Sequence, residues 1–201
     1  GAVFDNAGQD CCARSRILVE RSVYDRFLEL LEPAVQAWRV GDPADEATEM
    51  GPLISASHRS TVEGFLDGAD VAFRGSAPSG DGFWFAPTVV LADPADRIAR
   101  EEVFGPVVAV LPFEDEAGAI RLANDTIYGL AGSIWTENLG RAVRVSRGVK
   151  SGVLSVNSHS SVRYWTPFGG MKASGLGREL GPDAAEHFTE TKNVFFATDA
   201  S

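Results

Sequence analysis

Apolar residues in the first forty positions change from a strand-like to a helix-like spacing. Residues 16–20 contain a short apolar run flanked by charged side chains. From Val23 to Trp38, apolar side chains recur at helical intervals, so that they share one face of a helix. The pattern therefore predicts a strand followed by an amphipathic helix.

The middle of the chain alternates between turn residues and short β-branched runs. After a polar, acidic loop expected over residues 41–51, Ser55 is placed to cap a helix that carries Val62 and Phe65. Runs of strand length follow, and we expect strands at residues 71–73, 87–91 and 107–111.

The second half of the chain alternates more regularly, with connections of a few residues. The pattern predicts helix at 116–124, strand at 132–135, helix at 139–149 and strand at 153–156. Such alternation favours βαβ units. We therefore expect an α/β fold with a mainly parallel sheet and flanking helices. An irregular stretch follows over residues 157–177, then a helix near 183–187 and a strand-like run at 193–196.

Composition supports a single folded domain and narrows the range of partners. The chain has 201 residues, 44% hydrophobic, which is enough apolar material for a sizeable core. Its formal charge of −10 argues against nucleic acid or an anionic membrane surface as the partner. The sequence shows neither a long apolar span nor a signal-peptide pattern, so we expect a cytoplasmic protein. It begins without Met and without a capped first element, and we expect a truncation.

The two cysteines, Cys11 and Cys12, are adjacent. A bridge between them would be strained and could not link distant segments, so reduced thiols are expected. An isolated free cysteine is most often a small buried hydrophobe. Here, however, Gly8 permits a bend, and the residues after Gln9 are expected to start a helical turn. The backbone N–H groups of that turn would favour a thiolate and stabilise an oxyanion, which makes Cys11 a candidate nucleophile.

Histidine spacing argues against a metal site. The three histidines, His58, His159 and His187, are widely separated and show no zinc-like spacing with the cysteines. We expect no metal.

Three segments, in order, carry a resemblance to a known family. The first is Phe4-Asp5-Asn6-Ala7-Gly8-Gln9-Asp10-Cys11. It resembles Phe-x-Asn-x-Gly-Gln-x-Cys, the active-site signature of the aldehyde dehydrogenase superfamily. The second is Glu-Glu-Val-Phe-Gly-Pro at residues 101–106, which alone could be an acidic turn. The third is Pro-Phe-Gly-Gly-Met-Lys-Ala-Ser-Gly at residues 167–175.

The resemblance assigns roles to residues of the first two segments. It implies that Cys11 is the nucleophile and that Cys12 lines the substrate tunnel. It implies NAD or NADP as cofactor, with Glu102 bonding the hydroxyls of the nicotinamide-side ribose and Phe104 packing against the nicotinamide. His58 departs from the family pattern, because many relatives carry a Gln there that touches the cofactor.

The same resemblance suggests an aldehyde pocket. Residues 157–165 would correspond to the substrate-tunnel loop, although an ordinary surface loop is the alternative. The candidate pocket residues are His159, Val162, Trp165 and Phe168. An aromatic wall would bury a hydrophobic or choline-like group. Asp10 could hold a cationic substrate, or it could be a solvent-facing carboxylate.

The glycines of the third segment are expected to be structural. Gly175 and Gly177 follow no strand and lack phosphate-loop spacing. Lys172 and Arg178 are likewise expected to have structural or interfacial roles.

The resemblance covers essentially the whole chain and implies a reaction. Residues 1–188 would form the catalytic domain, and residues 189–201 an oligomerisation strand and tail, with the complete enzyme a homodimer or homotetramer. The Cys11 thiolate would add to an aldehyde, and the resulting thiohemiacetal would lose hydride to become a thioester that water converts to the acid.

The family's dinucleotide domain, general-base Glu and oxyanion Asn all precede the signature, so we expect this chain alone to bind NAD(P) weakly and to turn over little aldehyde. Two alternatives stay open: a thiol redox-sensing module and a non-catalytic oligomerising scaffold.

Overall fold

A computed structural model describes residues 1–160 and 162–198. The strands are β1 (Arg16–Glu20), β2 (Asp70–Arg74), β3 (Thr88–Leu91), β4 (Val107–Phe113), β5 (Ala131–Ile134) and β6 (Val153–Val156). The α-helices are α1 (Tyr24–Gln36), α2 (Ala56–Gly64), α3 (Arg97–Arg100), α4 (Glu116–Asn124) and α5 (Leu139–Gly148). Short 3₁₀ helices span Asp5–Gly8, Arg21–Val23, Lys172–Ser174 and Ala184–Phe188. Each predicted strand and helix up to β6 is present, with ends displaced by a few residues at most.

The strands form two sheets. The larger has the order β1-β4-β3-β2. In it, β4 pairs in parallel with β1 and β3, whereas β2 joins β3 antiparallel. The smaller sheet pairs β5 and β6 in parallel. With helices packed beside these strands, the expected α/β fold with a mainly parallel sheet is confirmed.

The core lies around β4. Its first five residues, 107–111, are all buried. A continuous apolar run of this kind is typical of a parallel strand that is covered on both faces. Strand β3 is buried beside it, and Thr88, its one polar residue, donates a hydrogen bond from its hydroxyl to the Ala86 carbonyl at 2.8 Å. The core thus fixes the sheet from which the loops of the site emerge.

Helix starts follow the local sequence. Ser55 caps α2 as predicted, because its Oγ accepts a hydrogen bond from the His58 backbone N–H at 3.1 Å. Asp115 and Asn138 cap α4 and α5 in the same way. The cap on α2 fixes the first turn of that helix, which carries His58.

The last part of the chain differs from the expectation. The helix expected near residues 183–187 is the 3₁₀ helix Ala184–Phe188. Residues 189–198 belong to no helix or strand, and residues 199–201 of the expected tail lie outside the described residues. A strand that pairs with a second subunit has no partner in one chain, so the oligomerisation strand stays a prediction. Within the described residues, no helix combines the length and apolar character needed to cross a membrane.

Candidate active site

The segment that carries Cys11 is an irregular loop ahead of β1. Its 3₁₀ helix contains Asn6 and Ala7 at positive φ, 52° and 54°, and Gly8 follows at 71°. The helical turn expected after Gln9 is absent. Instead, the Ala13 N–H donates to the Asp10 carbonyl at 2.9 Å and closes a single turn. Cys11 therefore lies in a turn and not at a helix N-terminus.

Gly8 packs the loop that carries Cys11, residues 5–13 and called the cysteine loop below, against the segment of residues 101–106. An ideal Cβ on Gly8 would lie 2.1 Å from the Gly105 carbonyl oxygen and 2.4 Å from the Gly105 carbonyl carbon. No side chain fits at such a distance, so only glycine permits this contact. The backbone before Cys11 is thereby held against the backbone that follows Phe104.

Gln9 and His58 connect the same two segments through the start of α2. The Gln9 Oε1 accepts a hydrogen bond from the Ile54 backbone N–H at 2.9 Å. Four residues later, His58 Nε2 donates to the Phe104 carbonyl at 2.7 Å, with the two rings edge to face at 6.3 Å. His58 thus positions the backbone of Phe104 through a contact that the sequence did not predict.

Residues 102–104 present two exposed side chains on either side of a buried one. Val103 is 2% exposed and anchors the segment in the core, whereas Phe104 is 38% exposed. Glu102 is also exposed. Phe104 has φ 53°, an uncommon value for a bulky residue that marks a constrained backbone. A carboxylate and an aromatic ring are therefore available to a ligand beside the cysteine loop.

The two thiols have different environments. Cys11 is exposed and Cys12 is partly buried, and their Sγ atoms lie 4.0 Å apart. The Asp10 Oδ1 accepts a hydrogen bond from the Cys12 N–H at 2.7 Å. Burial raises the pKa of the Cys12 thiol to about 12, and the neighbouring Cys11 and Asp10 add to the rise. Cys12 is therefore protonated at neutral pH.

This difference predicts selective alkylation. With a pKa near 12, roughly one Cys12 in ten thousand is a thiolate at about pH 8, and only the thiolate reacts. We expect iodoacetamide to label Cys11 at about pH 8, while Cys12 reacts appreciably only in strongly alkaline solution. Peptide mass mapping across a pH series measures both rates, and equal labelling at about pH 8 would contradict the assignment.

Arg14 is the residue of the site that sequence reasoning missed. Its guanidinium donates to the Cys12 carbonyl, to the Ser133 Oγ at 3.1 Å and to the His159 carbonyl at 3.0 Å. It ties the cysteine loop to β5 and to the loop after β6. Burial lowers the pKa of Arg14, while Cys12 and Asp10 oppose the change. A charged residue shortly before an apolar strand was the only sequence signal, and many surface residues share it.

Comparison with known proteins identifies the family. A sequence profile described as the aldehyde dehydrogenase family matches residues 1–194. The chain belongs to the aldehyde dehydrogenase family. An aldehyde dehydrogenase of Emericella nidulans is 41% identical over 200 residues, covering 96% of this chain and 40% of that protein. A betaine aldehyde dehydrogenase of Bacillus subtilis is 42% identical over 204 residues, covering 96% and 42%.

Solved aldehyde dehydrogenase structures share the fold. A Mycobacterium tuberculosis aldehyde dehydrogenase complexed with NAD⁺ superposes with a TM-score of 0.92 at 40% identity, covering all of this chain and 43% of that one. A betaine aldehyde dehydrogenase of Staphylococcus aureus in complex with NAD⁺ gives 0.88 at 44% identity, covering 93% and 39%. The chain thus spans about two fifths of the length of such relatives.

The predicted pocket residues divide into two groups. Asp10 and Cys12 lie in the cysteine loop, and the backbone of His159 is tied to that loop through Arg14. The others lie further along the loop, where Val162 and Trp165 are exposed and Phe168 pairs its backbone with Glu179. Ser161, within the predicted tunnel loop, lies outside the described residues. The structure brings the first group together with Cys11.

The third family segment makes close contacts within the chain. An ideal Cβ on Gly169 would lie 2.5 Å from the Gly177 carbonyl oxygen. The Arg178 guanidinium donates to the Gly170 carbonyl at 2.8 Å. Lys172 Nζ donates to the Thr126 carbonyl at 2.7 Å, and burial lowers its pKa. Residues 171–174 of this segment thereby contact residues 126–129, which lead into β5.

Proposed function

We propose that this chain is the thiol-bearing part of an NAD(P)-dependent aldehyde dehydrogenase, with Cys11 as the nucleophile. The supporting observation is the packing of Gly8 on Gly105, which places an exposed cysteine loop beside the segment that carries Glu102 and Phe104. Membership of the aldehyde dehydrogenase family supports the same activity.

The proposed reaction uses the sulfur of Cys11 as the group that holds the substrate. The thiolate adds to the aldehyde carbon and forms a thiohemiacetal. Departure of hydride from that carbon leaves a thioester on Cys11. Water then attacks the thioester carbonyl, releases the carboxylic acid and returns the thiol. A bound nicotinamide cofactor would supply the hydride acceptor.

The residues beside the cysteine loop fit such a cofactor. Glu102 is exposed, and a carboxylate accepts hydrogen bonds from ribose hydroxyl groups. The Phe104 ring is partly exposed, and its backbone is held by His58, so it offers a fixed apolar surface for a nicotinamide ring. None of these contacts distinguishes NAD from NADP.

For the substrate, we propose a small aldehyde that enters beside Asp10, Cys12 and His159. The mouth of that site would be completed by the exposed side chains of the following loop, Val162, Trp165 and Phe168. Several relatives are named betaine aldehyde dehydrogenases. An exposed Asp10 next to the nucleophile supports a cationic aldehyde, because a carboxylate attracts a quaternary ammonium group.

The remaining proposals concern the whole protein. Because the chain spans about two fifths of its relatives, we propose that it binds NAD(P) weakly and oxidises little aldehyde on its own. Residues 1–188 would form the catalytic domain, and residues 189–201 would join a homodimer or homotetramer. Two free thiols support a reducing, cytoplasmic environment.

Acetyl transfer from p-nitrophenyl acetate tests the thiol chemistry in this chain. An activated ester acylates a nucleophilic thiol without any hydride acceptor, so the reaction can be measured on these 201 residues. We expect a burst of about one p-nitrophenolate per chain, with the acetyl group mapped to Cys11 by mass spectrometry. Chain pretreated with iodoacetamide serves as the control. Acetylation confined to Cys12 or to lysine side chains would refute Cys11 as the nucleophile.

A further inference from the structure

We propose that Asp10, Cys11 and Cys12 form a binding site for a thiophilic divalent cation of the zinc class. The proposed dehydrogenase reaction requires one thiol, yet the turn carries two thiols and a carboxylate together. Their ligand atoms all lie within 4.8 Å of one another. Occupation of the site would engage the Cys11 sulfur and prevent its addition to a carbonyl.

The separation of the sulfurs fits a shared cation. Two Zn–S bonds of about 2.3 Å at a tetrahedral angle span roughly 3.8 Å between sulfurs. The Sγ atoms of Cys11 and Cys12 lie 4.0 Å apart. A cation can therefore bridge them with only a small side-chain adjustment, whereas a disulfide at about 2.05 Å requires the sulfurs to approach much further.

The third ligand is held in place by the turn itself. The Asp10 Oδ1 accepts the Cys12 N–H at 2.7 Å, and the Asp10 carbonyl accepts the Ala13 N–H at 2.9 Å. These bonds fix the carboxylate beside the thiols while its second oxygen can face a cation. Carboxylate oxygen and thiolate sulfur are both common zinc ligands, and water can complete a tetrahedral set.

Charge and access also favour the cation. Binding of the cation displaces the thiol protons into solvent, and the two thiolates and the Asp10 carboxylate then offset the charge of the cation. Asp10 and Cys11 are exposed, so a hydrated cation can reach them. No oxidant or reductant takes part, because metal binding exchanges protons for the cation.

Cadmium titration of the reduced 201-residue chain tests the site directly. Thiolate-to-cadmium charge transfer absorbs in the ultraviolet, and the chain has only these two cysteines, so the signal reports this turn alone. We expect saturation at about one cadmium per chain and competition by zinc. Cys11→Ser or Cys12→Ser should weaken binding about 100-fold or more, and Asp10→Asn about tenfold.

Two controls separate the site from general metal binding and from misfolding. Glu46→Gln, which alters an exposed carboxylate outside the group of three ligands, should leave affinity unchanged. In the unmodified chain, zinc should protect Cys11 from iodoacetamide, and a chelator should restore labelling. Unchanged affinity in Cys12→Ser, or labelling that zinc does not slow, would overturn the proposal. Acetyl transfer without metal is unaffected by either result, so the proposed dehydrogenase chemistry is tested separately.

Discussion

Cys11→Ser is expected to abolish acetyl transfer from p-nitrophenyl acetate, lowering its rate by about a thousandfold or more. A serine hydroxyl is far less acidic than a thiol and needs an adjacent base to act as a nucleophile. Among the described residues, no hydrogen bond joins a histidine ring nitrogen to the side chain of Cys11, so no such base is in place. Stopped-flow release of p-nitrophenolate measures the burst rate.

Cys12→Ser is the matched control, because it makes the same atomic change one residue away. Cys12 is partly buried and protonated at neutral pH, so its loss should change the burst rate by no more than about threefold. If Cys12→Ser removed the burst while Cys11→Ser retained it, the nucleophile would be Cys12 and the assignment to Cys11 would be wrong. Circular dichroism of both variants separates lost chemistry from lost folding.

Much of the fold was predictable because its information is local. The apolar run at residues 107–111 predicts a fully buried strand, and the bounds predicted for helix α4 match those observed. Ser55 caps α2 through a hydrogen bond within one turn. The order of the strands was not predictable, because pairing of β1 with β4 joins residues far apart in sequence.

The turn at Cys11 shows where local reasoning failed. Small residues after Gln9 suggested a helical start, yet the Asp10 carboxylate takes the Cys12 N–H and the chain extends into β1 at Arg16. Asp and Asn side chains commonly divert backbone from helix in this way. The turn that results brings together the two thiols and the carboxylate, which spacing alone did not indicate.

The sequence predicted which segments carry the candidate site residues, but it did not predict how those segments contact one another. Family spacing indicated Cys11, Glu102 and Phe104, whereas the contacts that hold these segments to one another and to the rest of the chain join residues distant in sequence. Arg14 reaches Ser133 and His159, which are 119 and 145 residues away. No local pattern encodes such partners. A positioning residue of this kind becomes visible only when the loops are placed in space.

Gly8→Ala is expected to cause the second large loss of acetyl transfer. Gly8 has φ 71°, and an added Cβ would lie 2.1 Å from the Gly105 carbonyl oxygen. The cysteine loop must therefore move away from the Glu102 segment. Displacement of a reacting group by about 1 Å can cost about 100-fold in rate. We expect a loss of that size in the burst rate, together with a lower melting temperature.

Gly68→Ala separates the displaced loop from simple backbone strain. Gly68 has φ 76°, close to that of Gly8, but an added Cβ there meets no atom within 4 Å. The left-handed backbone should cost about 1–2 kcal/mol of stability in both variants, whereas only Gly8→Ala moves the cysteine loop. We therefore expect Gly68→Ala to keep a normal burst rate at a temperature where it is folded. Equal burst rates in the two folded variants would mean that contact with Gly105 does not position Cys11, and the link between the thiol and the Glu102 segment would lose its physical basis.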